Sequence, residues 1–173
     1  MTVRRHRPLV RQAVRVAGLA GVAALVALLL TSASTSAPSG LVAAYAFDEG
    51  SGTTVTDASG NGNGGTIAGA TWSSAGKYGS ALSFNGSSSR VTIANSSSLQ
   101  LSSGMTLEAW VNPATVSSAW RDVIEKGNDN YFLMATTTQS SDAGGGGIIG
   151  GSYGQVFTTS PLAANTWSFL ALT

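Results

Sequence analysis

Residues 106–113 read T-L-E-A-W-V-N-P, and their alternation is strict: Leu107, Ala109 and Val111 fall on one side of an extended chain, Glu108 and Trp110 on the other. That is the period of a β-strand, and Pro113, which has no backbone N–H to give to a ladder, stops it. The same period recurs in both directions. Residues 42–47, 64–71, 81–84 and 90–94 precede it, and residues 122–125, 131–135, 147–150, 155–158 and 167–172 follow, each bounded by Gly, Pro, Asn or Ser. No stretch after residue 40 carries a helical period. Short strands about ten residues apart predict an all-β protein, an antiparallel sandwich or barrel.

One loop between these strands is chemically distinctive. Residues 57–63, D-A-S-G-N-G-N, place Asp57, Ser59 and Asn61 at alternate positions with Gly62 immediately after and Asn63 behind it. This is the front half of a calcium loop, in which oxygen-bearing side chains turn inward around a sharp bend. The helix-loop-helix form would need a Glu at position 68, which is Ala68, so any such loop sits on a β scaffold. A solvated Asn-Gly turn series is the alternative.

The first 40 residues differ from the rest. Arg4, Arg5, Arg7, Arg11 and Arg15 precede an uncharged apolar run over residues 17–30, followed by small residues including Thr31 and Ala33. This predicts a signal peptide over 1–33, formed as a helix, with a Ser/Thr/Ala/Pro-rich flexible leader over 34–40 and the domain proper over 41–173. An uncleaved anchor beginning near Val14 is the other reading. Either way the chain is expected to be secreted or held at the cell envelope, touching a membrane only through this segment.

Without the leader the charge changes sign. The whole chain carries +1; past residue 40 only Lys77, Arg90, Arg121 and Lys126 oppose eight acids, a net charge of −4. No basic patch exists for nucleic acid. There is no cysteine, and the single histidine, His6, lies in the leader. Serine–histidine and cysteine–histidine nucleophiles are thereby excluded from the domain, as are zinc sites of the usual ligands. Catalysis would have to use carboxylates, and a glycoside hydrolase needs two facing one bond. Asp122 and Glu125, three apart, are expected on opposite faces of their strand, so no enzyme is predicted.

Sugar rings stack on flat apolar faces, and among the loop-proximal aromatics Trp120, Tyr131 and Tyr153 are the ligand-binding candidates, with Trp72 also considered; Trp110 and Trp167, in strands, are expected in the core. The Gly144-to-Gly147 run lacks the Lys and Ser/Thr of a phosphate loop and reads as a flexible loop.

Taken in order, residues 45–52 (Y-A-F-D-E-G-S-G), 57–63, 76–91 (G-K-Y-G-S-A-L-S-F-N-G through Val91), 106–113 and the Trp167 strand resemble the laminin-G-like, concanavalin A-like lectin/glucanase superfamily. The resemblance implies a jelly-roll sandwich of two antiparallel sheets serving as a noncatalytic binding module of an exported bacterial-type protein. Extracellular carbohydrate is its expected partner, and an adhesive contact with an envelope protein or a place beside a glycoside hydrolase are the alternatives. It also implies a structural calcium, with Asp57, Asn61 and Asn63 as ligands. Members usually continue beyond the Trp167 strand, so an incomplete domain is expected.

Overall fold

The computed structural model describes residues 39–127 and 129–173. The signal peptide over 1–33 with its helix, and the leader as far as residue 38, lie outside the described residues. Eleven strands follow: β1 (Thr54–Val55), β2 (Gly65–Ala68), β3 (Thr71–Ser73), β4 (Ala81–Ser83), β5 (Arg90–Ile93), β6 (Leu107–Val111), β7 (Arg121–Lys126), β8 (Tyr131–Thr136), β9 (Asp142–Ile149), β10 (Ser152–Pro161) and β11 (Ser168–Leu172). Every ladder among them is antiparallel. They form sheets ordered β1-β2-β5, β10-β9-β8-β7, β11-β6 and β3-β4. The all-β reading holds, and the layering is consistent with a jelly roll.

The core lies between two of these sheets. Leu107 of β6 and Leu170 of β11 meet Tyr131 and Leu133 of β8 and Ala143 of β9, with Ala109, Val111, Val123, Ile124 and Leu172 packed around them. Burying each large aliphatic side chain contributes about 1.5–3 kcal/mol, so this layer is the main source of stability. The inward set Leu107, Ala109, Val111 is the one its alternation predicts. A satellite core sits within β1-β2-β5, where a Cβ on Gly65 would stand 2.6 Å from Val91 Cγ1 and 2.9 Å from Val55 Cγ2, so only glycine lets those strands close.

Two expectations are corrected. Residues 42–47 form no strand. Their backbone groups bond elsewhere: the Ala44 N–H donates to Asp57 Oδ1 at 3.0 Å, and the Val42 carbonyl accepts from Ser59 Oγ and from the Asn61 and Asn63 amides. The Gly144-to-Gly147 run is no loop; it is the middle of β9, paired with β8 on one side and β10 on the other. Its neighbours leave no room for side chains. A Cβ on Gly144 would stand 2.8 Å from Phe157 Cδ1, on Gly145 2.8 Å from Leu172 Cδ2, and on Gly147 2.5 Å from the Asn130 carbonyl oxygen. Glycine is the residue that permits this approach, at the entropic cost its backbone freedom carries.

Candidate functional site

The structure brings Asp57, Asn61 and Asn63 together, but as a hydrogen-bonded knot. Asp57 Oδ1 accepts from the N–H groups of Ala44 (3.0 Å) and Ser59 (2.9 Å), and Oδ2 accepts from Ser59 Oγ (2.8 Å) and the Asn63 N–H (2.9 Å). Asn61 donates its amide to the carbonyls of Leu41 and Val42, and Asn63, buried, donates to Val42 and Ser98 while accepting from Ser96 Oγ. Burial pushes the Asp57 carboxyl up, but the donations from Ser59, Ala44 and Asn63 outweigh it and hold it at about 2. The knot ties the incoming chain at residues 41–44 to the 3₁₀ turn Ser97–Leu99, whose last carbonyl accepts from Tyr131 Oη at 3.2 Å.

A calcium ion does not fit this donor set. It needs six to eight oxygens with lone pairs turned toward it. Here both Asp57 oxygens are filled by four donors, the Asn63 Oδ1 already accepts from Ser96 and Ser98, and no group of three acidic, His or Cys side chains clusters among the described residues. No function is routed through a metal at this loop.

The three aromatic candidates are not brought together. Tyr131 is 6% exposed, a core residue whose ring faces Leu107 and Leu170, so it offers no surface for stacking. Alternation put it inward, and sequence reading missed this because the residue follows a Gly-Asn-Asp-Asn loop. Tyr153 is exposed and stacks on Phe132 with centroids 6.4 Å apart; Trp120 is exposed just before β7. β7 and β10 are opposite edges of the four-stranded sheet, roughly 14 Å apart at sheet spacing, so the two rings form no single aromatic cluster. Trp72 lies within β3 and donates its indole N–H to the Gly52 carbonyl at 2.9 Å.

The carboxylates of β7 also depart from expectation. Asp122 pairs with Met134, Ile124 with Leu133 and Glu125 with Phe132, with register shifts on either side of Asp122. The bulge turns Val123 to the core and leaves Asp122 and Glu125 on the same face of the sheet, roughly 7 Å apart along the strand direction. Burial raises the Glu125 pKa, as do the charges of Asp122 and Asp129. Neither residue lines the open cleft of about 340 Å³ at Ala46, Asp48, Glu49, Thr56 and Ala58 or that of about 240 Å³ between Val156 and Leu172.

Three exposed aromatic rings gather at the outer face of β6 and β11. Trp110 pairs directly with Phe169 across that ladder, with ring centroids 5.3 Å apart and planes at 44°. Tyr78 meets Trp110 edge-on at 5.7 Å, 85° between planes, and Lys77 Nζ sits 4.7 Å from the Trp110 centroid. Trp110 is 39% exposed, Phe169 50% and Tyr78 71%, so the core placement expected for Trp110 is corrected. The sequence signal was present: when Leu107, Ala109 and Val111 face in, Trp110 must face out.

The loop carrying Lys77 and Tyr78 is firmly closed. The Gly76 N–H donates to the Gly79 carbonyl at 2.9 Å, and a Cβ on Gly76 would stand 2.2 Å from the Ser80 carbonyl oxygen. Gly79 adopts φ +102°, and Asp48 Oδ1 accepts the Ser80 N–H at 3.0 Å. Two glycines and one carboxylate thus hold the tip over the aromatic pair.

With this geometry in place, comparison with known families matches residues 85–173, just over half the chain, to a laminin-G family model described as the concanavalin A-like lectin/glucanases superfamily. The chain belongs to that superfamily. The matched part of this lectin/glucanase-type domain runs from Asn85 through β11 and includes Trp110 and Phe169; the Asp57-to-Asn63 side of the polar knot and the Lys77 loop precede it, while Ser96 and Ser98 fall within it. No curated protein and no solved structure matched the chain.

Proposed function

We propose that the domain is a noncatalytic extracellular module that binds carbohydrate on the face formed by Trp110, Phe169 and Tyr78. The exposed, mutually contacting aromatic cluster carries this reading: apolar groups of this size are seldom left in water as a contiguous patch without a partner. A pyranose presents an apolar C–H face that the rings can cover, while the Lys77 ammonium, which lies over the Trp110 ring, offers N–H donors to sugar oxygens. The superfamily membership supports a binding role without selecting the ligand, since one fold hosts many functions. Asp122 and Glu125 share a face but border no cleft described above, so hydrolysis is not part of the reading.

The test is an isothermal calorimetric titration with soluble polysaccharides, repeated on Trp110→Ala and Phe169→Ala. Each variant should weaken binding at least tenfold, about 1.4 kcal/mol, while still unfolding cooperatively. Binding indifferent to both substitutions, or release of reducing sugar that Glu125→Gln abolishes, would overturn it.

A further inference from the structure

Resting on the carbohydrate reading, the arrangement of the rings points to the physical form of the ligand. We infer that the Trp110 face takes single soluble glycan strands and rejects the flat surfaces of crystalline glycans. A crystalline face is planar and rigid, so it engages several aromatic rings at once only when their faces lie in one plane and are spread in a row. Here neither condition is met. Phe169 is tilted 44° from Trp110, Tyr78 stands at 85° to it, and both touch it, with centroids 5.3 and 5.7 Å away. The three rings share no plane, so a planar sheet can lie flat against at most one ring face at a time.

The cluster is not free to flatten. Trp110 and Phe169 are fixed by their direct pairing in the β6–β11 ladder, whose inner side is locked by Leu107 and Leu170 in the core. Tyr78 and Lys77 are fixed by the Gly76–Gly79 closure and its Asp48 anchor. A flexible strand rotates about its glycosidic bonds and sets one or two sugar rings against single ring faces, with the Lys77 ammonium over Trp110 as a donor to its hydroxyl oxygens.

The experiment uses the full chain with two kinds of probe: microcrystalline cellulose and crystalline chitin in a depletion assay, and soluble xyloglucan, galactomannan, laminarin and hydroxyethylcellulose in calorimetric titration. At least one soluble probe should bind, Trp110→Ala should lose tenfold or more of that affinity, and depletion onto either crystalline probe should equal that of a non-binding control protein. Tyr78→Ala, an exposed substitution, should lower soluble binding, and its depletion onto the crystalline probes should still equal that of the control, because Trp110 and Phe169 stay tilted by 44° and in contact. Depletion of the wild-type chain onto a crystalline probe that Trp110→Ala abolishes overturns this inference and leaves the carbohydrate reading standing. Binding to none of the probes overturns both.

Discussion

Gly145 of β9 and Leu172 of β11 meet across the sandwich so closely that a Cβ on the glycine would stand 2.8 Å from Leu172 Cδ2. Gly145→Val therefore forces the two sheets apart. It should lower stability by about 1–3 kcal/mol in a urea titration, whereas Gly154→Ala on β10, whose added Cβ would meet nothing within 4 Å, should stay within about 0.5 kcal/mol.

Asp57 accepts four hydrogen bonds, three from backbone N–H groups. Asp57→Ala strands those donors and should cost about 3 kcal/mol of unfolding free energy. Calcium, or its chelation, should leave the melting temperature of the wild-type chain unchanged, since no lone pair of Asp57 waits for an ion.

The pH dependence of that knot follows from the depressed pKa. The Asp57 carboxyl titrates at about 2 in the fold and near its ordinary 3.8 when unfolded. Its stabilisation is present in full above the unfolded value and fades as the pH falls from about 4 toward about 2. The melting temperature of wild type should drop across that window, and that of Asp57→Ala should drop less.

Glu125 behaves oppositely. Burial, then Asp122 and Asp129, raise its pKa, so the folded state disfavours its charge and the strain is present above that pKa. Glu125→Gln should raise stability at pH 7 by no more than about 0.5 kcal/mol, because the side chain is largely solvated, and the gain should vanish below pH 4.

Gly76→Ala tests the loop that holds Lys77 and Tyr78. Its Cβ would meet backbone at 2.2 Å, which cannot yield without opening the Gly76–Gly79 closure. Trp110 fluorescence should change and glycan affinity should fall severalfold, although no ring has been removed.

The sequence alone determined the class of fold and the sidedness of its clearest strand. Leu107, Ala109 and Val111 had to share a face because strand side chains alternate, and the core is found on that face. It also singled out Asp57, Ser59, Asn61 and Asn63 as one local unit, since their spacing confines them to a single bend. What those oxygens and amides bind was decided only when residues 41–44 and Ser96 and Ser98 arrived from far along the chain and filled them with hydrogen bonds. The same holds for the glycine run, which is a strand because Leu172 and Phe157 close over it, and for Asp122 and Glu125, which share a face because pairing with β8 forces a bulge at Val123. Trp110 lies between the two cases. Its direction was written in the alternation, but its company, Phe169 beside it and Tyr78 with Lys77 above, exists only in the folded chain, because contacts between residues this distant depend on register and packing that local spacing does not encode.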